Sequence, residues 1–157
     1  MLLQTTPRNF FIGSTEGWIA GNNVVAPWWT NCCGWPGVLV VDQVGTDPHI
    51  FGPVYSSPML AAHNDVVRVR MYPQNGTTAN HSMQVYFNTT ADPNFSESKS
   101  VGPINFTAQN TWVELTFQVG QNANWPTKYL RQLRVDFDHS VNTQTRWIVD
   151  HIIVDHQ

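Results

Sequence analysis

The stretch Val113-Glu114-Leu115-Thr116-Phe117-Gln118-Val119 alternates apolar and polar side chains without interruption. Successive side chains of a β-strand point to opposite faces, so this alternation predicts a strand with one face in the core and one in water. Residues 66–72, 83–87 and 133–137 show the same period, and the apolar runs 38–41 and 147–154 suit buried strands. The expected core consists of Val67, Val69, Met71, Met83, Val85, Phe87, Leu115, Phe117, Leu133, Val135, Ile148 and Ile152.

No long stretch has helical periodicity, and turn-forming groups such as Gln74-Asn75-Gly76 separate the strand patterns. Many short strands without intervening helices predict an all-β protein built as an antiparallel β-sandwich or barrel. A length of 157 residues suits one domain with a sizeable core. We expect an N-terminal arm over residues 1–7 and a single β-sandwich domain over residues 8–157.

The chain carries few charges. Only 12% of its residues are charged, the formal net charge is −3, and its 8 Lys and Arg residues form no run. Because nucleic-acid binding depends on basic patches, we expect no nucleic-acid partner. No stretch is long and apolar enough to predict a membrane span. An uncharged polar surface is common in secreted proteins and in proteins that bind neutral glycans.

One short segment concentrates aromatic side chains. Trp28-Trp29-Thr30-Asn31-Cys32-Cys33-Gly34-Trp35 has three indoles and no charge, and prolines flank it. This composition predicts a surface loop in which Trp28, Trp29 and Trp35 stack on sugar rings while Asn31 donates hydrogen bonds. The alternative is that these tryptophans fold inward and plug the core.

Cys32 and Cys33 are the two cysteines of the chain. A long-range disulfide within one chain is therefore ruled out, and the pair is expected to form a vicinal disulfide that holds the neighbouring indoles. Two free thiols are the alternative. A metal site is not expected there, because no Cys-x-x-Cys spacing or nearby histidine accompanies the pair.

Acceptor sequences for N-glycosylation cluster between residues 75 and 107. Their asparagines are Asn75, Asn80, Asn88, Asn94 and Asn105. This cluster favours an extracellular or secreted glycoprotein. A bacterial chain rich in Asn and Thr that is never glycosylated would have the same pattern.

Several short motifs resemble the jelly-roll, galactose-binding-like carbohydrate-binding modules. The motifs are Phe10-Phe11, Ser14-Thr15-Glu16-Gly17-Trp18, Asp47-Pro48-His49-Ile50, Leu133-Arg134-Val135-Asp136 and the closing run 148–154. The resemblance implies a non-catalytic, glycan-binding jelly roll with a structural Ca²⁺ held by Glu16 and Asp150, which offer the oxygen ligands that calcium prefers. Alternatively, Glu16 is a hydrogen-bonded turn carboxylate and Asp150 pairs with Arg134.

No catalytic constellation stands out. Asp136, Asp138 and His139 are close in sequence, as are Asp150 and His151, but neighbours on a strand point to opposite faces and so do not form a dyad. Ser140 lacks a nucleophile elbow, and no pair of carboxylates can be chosen for glycoside hydrolysis. The six histidines show no metal-binding spacing and stay unassigned.

The sequence therefore predicts a non-catalytic extracellular β-sandwich that binds polysaccharide through Trp28, Trp29, Asn31 and Trp35. The alternative is a structural subunit of an extracellular filament, sheath or virion. In that case the N-terminal arm would join copies of the chain by adding a strand to a sheet edge, since Leu2 and Leu3 would otherwise fray.

Overall fold

The computed structural model describes residues 8–11, 13–32, 34–55, 59–60, 65–125, 129–139 and 141–156. Within these ranges the regular structure consists of strands and two short 3₁₀ turns, Glu97–Lys99 and Val119–Gln121. The strands are β1 (Arg8–Phe10), β2 (Ile19–Asn22), β3 (Trp28–Cys32), β4 (Trp35–Asp42), β5 (His49–Phe51), β6 (Met59–Leu60), β7 (Val66–Gln74), β8 (Asn80–Thr89), β9 (Ser100–Thr107), β10 (Val113–Phe117), β11 (Tyr129–Phe137) and β12 (Arg146–Asp155).

The strands form two antiparallel sheets. Sheet 1 has the order β10-β7-β12-β4-β3, and β1 also pairs with β12. Sheet 2 has the order β2-β5-β11-β8-β9, and β6 also pairs with β11. The all-β antiparallel sandwich is therefore confirmed. The arm over residues 1–7 lies outside the described residues, so its boundary and the filament alternative stay predictions.

The main core lies between the two sheets. Every residue of the expected core is buried. The period-two alternation predicts the buried side chains correctly, because each of these strands has one face packed against the other sheet. Two details differ: Val119 lies in a 3₁₀ turn rather than at the end of β10, and Ile148 lies outside the main core.

A second apolar cluster lies on the outer face of sheet 1. Val38, Val40 and Ile148 form it, whereas Leu39 and Val41, their neighbours on β4, point into the main core. Cys32, Tyr72 and Trp112 are partly buried against this cluster. Val38, Val40 and Ile148 are only 0–2% exposed, so this cluster is itself buried beneath the partly buried side chains that pack on it.

The outer face of sheet 2 is covered by the chain itself. The segment before β9 crosses it, with Phe95 stacked on Phe51 at 5.5 Å between ring centroids. Glu97 accepts hydrogen bonds from the Tyr86 hydroxyl and from Gln84 Nε2. Burial and the hydrogen bond to Glu97 raise the pKa of Tyr86 well above its usual range.

Among the described residues, no helix has the length and apolar character needed to cross a bilayer.

Candidate functional site on the outer face of sheet 1

The tryptophan-rich segment is a hairpin edge rather than a loop. Trp28 and Trp29 lie in β3, and Trp35 begins β4, so the loop prediction is wrong. Trp28 is the register partner of Val40, which places its indole on the outer face of sheet 1. Trp29 pairs with Leu39 and therefore points to the other side. Both indoles are exposed, at 42% and 44%, which rules out the core-plug alternative for them.

Trp35 lies within an aromatic cluster. Its ring meets Trp112 edge-on at 5.5 Å between centroids, and Trp112 meets Tyr72 in the same way at 5.4 Å. These geometries are favourable for aromatic pairs and fix the orientation of each ring. Trp35 remains 37% exposed, so part of its ring can contact a ligand.

Arg70 fills the space beside these rings. Its guanidinium carbon lies 4.0 Å from the centroid of Trp35 and 4.9 Å from that of Trp112. Its Nη1 also donates to Asp150 Oδ2 at 3.1 Å. Cation–π contact and ion pair together hold the guanidinium in one position. Arg70 is thus an oriented donor at the centre of the face.

A row of polar groups crosses the sheet beside the aromatic cluster. Arg70 has His151 of β12 and Glu114 of β10 as its register partners. His151 Nδ1 lies 3.0 Å from Asp150 Oδ2, and its Nε2 lies 3.0 Å from Glu114 Oε2. The prediction that Asp150 and His151 do not meet is wrong, because a register shift between Val149 and His151 interrupts the alternation of β12.

Asn31 contributes to the shape of the hairpin. Its Oδ1 accepts a hydrogen bond from Gly37 N at 3.0 Å. Together with Cys32, Gly34, Trp35 and Pro36 it lines a shallow hollow of about 350 Å³. Asn31 is exposed, and its amide nitrogen makes no hydrogen bond to the described residues. It is therefore able to donate to a ligand.

The outer face of sheet 1 carries some of the predicted ligand-binding residues together with residues that were not predicted. Trp28 and Trp35 share it, whereas Trp29 lies on the opposite side. Arg70, Tyr72, Trp112, Glu114 and Asp150 complete what we call the aromatic face. Trp112 packs on the outer cluster of sheet 1, whereas Trp18 and Trp147 are fully buried in the main core. The polar side of β7, where Arg70 and Tyr72 alternate with core residues, was the signal available in the sequence.

The two carboxylates assigned to calcium make other contacts. Glu16 Oε1 accepts a hydrogen bond from Ser14 Oγ, as the turn-carboxylate alternative expects. Asp150 pairs with Arg70 and His151, not with Arg134, which pairs with Asp136. A guanidinium on the Asp150 carboxylate competes with a cation, so this geometry does not fit calcium at Asp150. Calcium at Glu16 stays a prediction.

Four of the five acceptor asparagines are exposed, namely Asn75, Asn80, Asn94 and Asn105. Asn88 is only 1% exposed, and its Nδ2 donates to the Pro93 carbonyl at 2.9 Å. A glycan on Asn88 is incompatible with this packing, so that assignment is wrong for the folded chain.

Cys33 lies outside the described residues, so the vicinal disulfide stays a prediction. We expect the purified protein to gain the mass of two hydrogens on reduction, because a domain in an oxidising compartment has no other cysteine to offer Cys32. Intact-mass spectrometry before and after reduction measures this gain. Alkylation of both thiols without prior reduction would contradict the pairing.

No family model and no curated protein matches the sequence. The structure is similar to a carbohydrate-binding module, CBM28, that is specific for non-crystalline cellulose: identity is 16%, coverage is 93% of this chain and 91% of that chain, and the TM-score is 0.70. CBM27-1 of Caldicellulosiruptor saccharolyticus, solved in complex with mannohexaose, is 12% identical, with coverage of 96% and 98% and a TM-score of 0.62.

The cleaved adhesin domain K1 of Lys-gingipain from Porphyromonas gingivalis is also similar, with 16% identity, coverage of 98% and 99% and a TM-score of 0.61. One fold serves modules with different binding partners. The similarity therefore establishes the architecture, whereas the ligand has to be inferred from the residues of the site. The chain has the jelly-roll β-sandwich fold of the carbohydrate-binding modules.

Proposed function

We propose that this protein is a non-catalytic glycan-binding module that binds a polysaccharide chain on the aromatic face. The observation that carries this proposal is the exposed pair Trp28 and Trp35 on one sheet face, supported from below by an apolar cluster. Indole rings bury the apolar face of a sugar ring, and sugar hydroxyls need polar partners at the ring edge. The cellulose- and mannohexaose-binding modules that share the fold make this ligand class the natural one to test.

The spacing of the two tryptophans suits an extended ligand. Trp35 is the register partner of Cys32, which lies four residues after Trp28 along β3. At about 3.3 Å per residue, the two backbones lie roughly 13 Å apart. One sugar ring cannot contact both indoles, so the face favours an oligosaccharide over a monosaccharide.

The polar groups of the face complement sugar hydroxyls. Arg70 offers guanidinium donors, and Glu114, whose side chain is 41% exposed, offers a carboxylate acceptor. Arg70 and Asp150 neutralise each other, so the face as a whole does not require an anionic sugar. We therefore propose a neutral polysaccharide as the ligand.

We further propose an extracellular setting, which the acceptor asparagines support. Asn80, Asn94 and Asn105 are exposed and lie on β8, β9 and the loop between them, in sheet 2, whereas the exposed Asn75 directly follows β7 of sheet 1. Glycans on the three asparagines of sheet 2 would leave the aromatic face open.

A polysaccharide array followed by titration calorimetry tests the proposal. The unsubstituted protein should bind at least one neutral polysaccharide and should release no reducing sugar from it. The double variant Trp28→Ala/Trp35→Ala should lose this binding, while Trp29→Ala should keep it, since Trp29 points to the other side. Failure to bind any polysaccharide, or equal binding by the double variant, would refute the proposal.

The single substitution Trp35→Ala should weaken binding by about 2 kcal/mol, or roughly 30-fold, as is usual for a central aromatic contact. Loss of the indole also frees Arg70, which then binds in a less defined position. Intrinsic fluorescence titration measures the affinity. Urea denaturation is the control, because Trp35 is partly exposed and its loss should cost little stability.

A further inference from the structure

Apolar side chains form a continuous row across the outer face of sheet 1, from β3 to the start of β10. Trp28 is the register partner of Val40, and Val40 is the partner of Ile148. Ile148 is in turn the partner of Tyr72, whose ring meets that of Trp112 at 5.4 Å. Because neighbouring strands lie about 4.8 Å apart, this apolar row is about 19 Å long and perpendicular to the strands.

The two exposed indoles are separated in the same direction. The backbone of Trp35 belongs to β4, but its ring centroid lies 4.0 Å from the guanidinium carbon of Arg70 and 5.5 Å from the centroid of Trp112. Arg70 belongs to β7, two strands beyond β4 in the sheet. Trp28 lies on β3, at the edge of the sheet. A polymer that contacts both indoles therefore extends across the strands.

Polar rows border the apolar row on both sides. On one side lies Arg70, two residues before Tyr72 on β7, with Glu114 as its partner on β10. On the other side lies Gln74, two residues after Tyr72, with Arg146 as its partner on β12. Two residues of a strand span about 7 Å, so each polar row lies about 7 Å from the apolar row.

The row of Gln74 and Arg146 continues to Asp42, the register partner of Arg146 on β4. Arg146 Nε donates to Asp42 Oδ1 at 2.6 Å, and its Nη2 donates to Oδ2 at 3.1 Å. This bidentate pair orients both groups, and each keeps further hydrogen-bonding capacity. The two side chains are 41% and 27% exposed, so both can contact a ligand.

The three rows match the outline of a sugar chain. A sugar ring has apolar C–H groups on its faces and hydroxyl groups around its edge. A chain that follows the apolar row stacks on the rings and places the hydroxyls of both its edges beside polar groups. A chain that follows a strand would cross all three rows, so its apolar faces would lie over charged groups and it would contact only one of the two indoles.

We propose that the polysaccharide lies across the strands of sheet 1 and that Asp42 and Arg146 bind its second edge, which makes the site specific for straight, unbranched, neutral chains. This inference rests on the proposed glycan-binding function and adds the ligand's direction and a second set of contacts. A branch on either edge replaces a hydroxyl that the polar rows need, and a polar group that loses its partner on binding lowers affinity. Asp42 and Arg146 neutralise each other, so their row requires no charge on the sugar.

Calorimetric titration with oligosaccharides tests the direction and the shape of the ligand. Cellohexaose or mannohexaose should bind, and the affinity should increase from the disaccharide to at least the tetrasaccharide, because the apolar row is longer than two sugars. Maltohexaose, a curved chain of the same glucose units as cellohexaose, should bind more weakly than the better straight chain. Galactose branches on a manno-oligosaccharide of equal main-chain length should weaken binding at least about tenfold.

Arg146→Ala and Asp42→Ala should each weaken binding of the better hexasaccharide at least about tenfold. Both side chains are partly exposed, so the variants should fold, and circular dichroism checks this. The matched control is Asp47→Ala. Asp47 is also a partly exposed, ion-paired carboxylate, but it precedes β5 of sheet 2, so this variant should bind like the unsubstituted protein.

The outcomes separate this inference from the proposed function. Unchanged affinity in Arg146→Ala and Asp42→Ala, equal binding of straight and curved chains, or equal binding of branched and unbranched chains would overturn the inference. In each of these cases, loss of binding in Trp28→Ala/Trp35→Ala would still support the proposed function. Failure of the unsubstituted protein to bind any polysaccharide would refute both.

Discussion

Replacing Trp147 by Ala should destabilise the domain by roughly 3–5 kcal/mol, the range found when a large buried aromatic side chain is removed. Trp147 belongs to sheet 1 and is fully buried. Its ring stacks on Phe137 at 5.0 Å and meets His81 edge-on at 4.9 Å, and both partners belong to sheet 2. The indole therefore joins the two sheets, and its removal would leave a cavity between them.

Urea denaturation followed by circular dichroism measures this loss as a lower midpoint at an unchanged slope. Trp29→Ala is the matched control, because it removes the same side chain from an exposed position. Its midpoint should change little. Equal midpoints for Trp147→Ala and the unsubstituted protein would show that this ring does not hold the sheets together.

Removing the buried carboxylate of Asp138 should cost a similar amount, about 3–5 kcal/mol. Asp138 is fully buried and accepts hydrogen bonds from Ser82 N at 3.0 Å and Thr143 Oγ1 at 2.6 Å. His81 Nδ1 lies 2.9 Å from the same carboxylate, and the His81 side chain is also fully buried. Asp138→Ala removes the partner of the buried His81 Nδ1 and of Ser82 N, whereas Thr143 Oγ1 keeps Gln43 and Thr145 as partners.

The control for Asp138 is Asp42→Ala. Asp42 also forms an ion pair, with Arg146 at 2.6 Å, but both side chains are partly exposed and the loss should be below about 1 kcal/mol. Asp138 has a backbone φ of 43°, where Ala is strained, so Asp138→Asn separates strain from lost charge. If Asp138→Ala unfolds at the same urea concentration as Asp42→Ala, the buried network contributes little.

Local patterns in the sequence predicted the strands better than they predicted contacts between strands. Alternation in β7, β8, β10 and β11 predicted the strands and their inward faces, because the pleat of a strand fixes which side chains share a face. The alternation argument fails at Asp136 and Asp138, which it puts on one face: they contact Arg134 and His81 respectively, because Asp138 lies beyond the end of β11. It also fails at Asp150 and His151, because a bulge cannot be read from alternation alone.

By itself, then, the sequence determined the β-sandwich and every member of the expected core except Ile148, and it favoured a surface position for Trp28 and Trp35. Only the tertiary structure decided that Trp29 points away from them and that Arg70, Tyr72, Trp112 and Glu114 complete the aromatic face. It also brought together Asp47, Asp136 and His139, whose spacing along the chain gave no sign of a cluster. The physical reason is that periodicity specifies the face of a strand, whereas strand order, register and bulges specify which residues meet across strands.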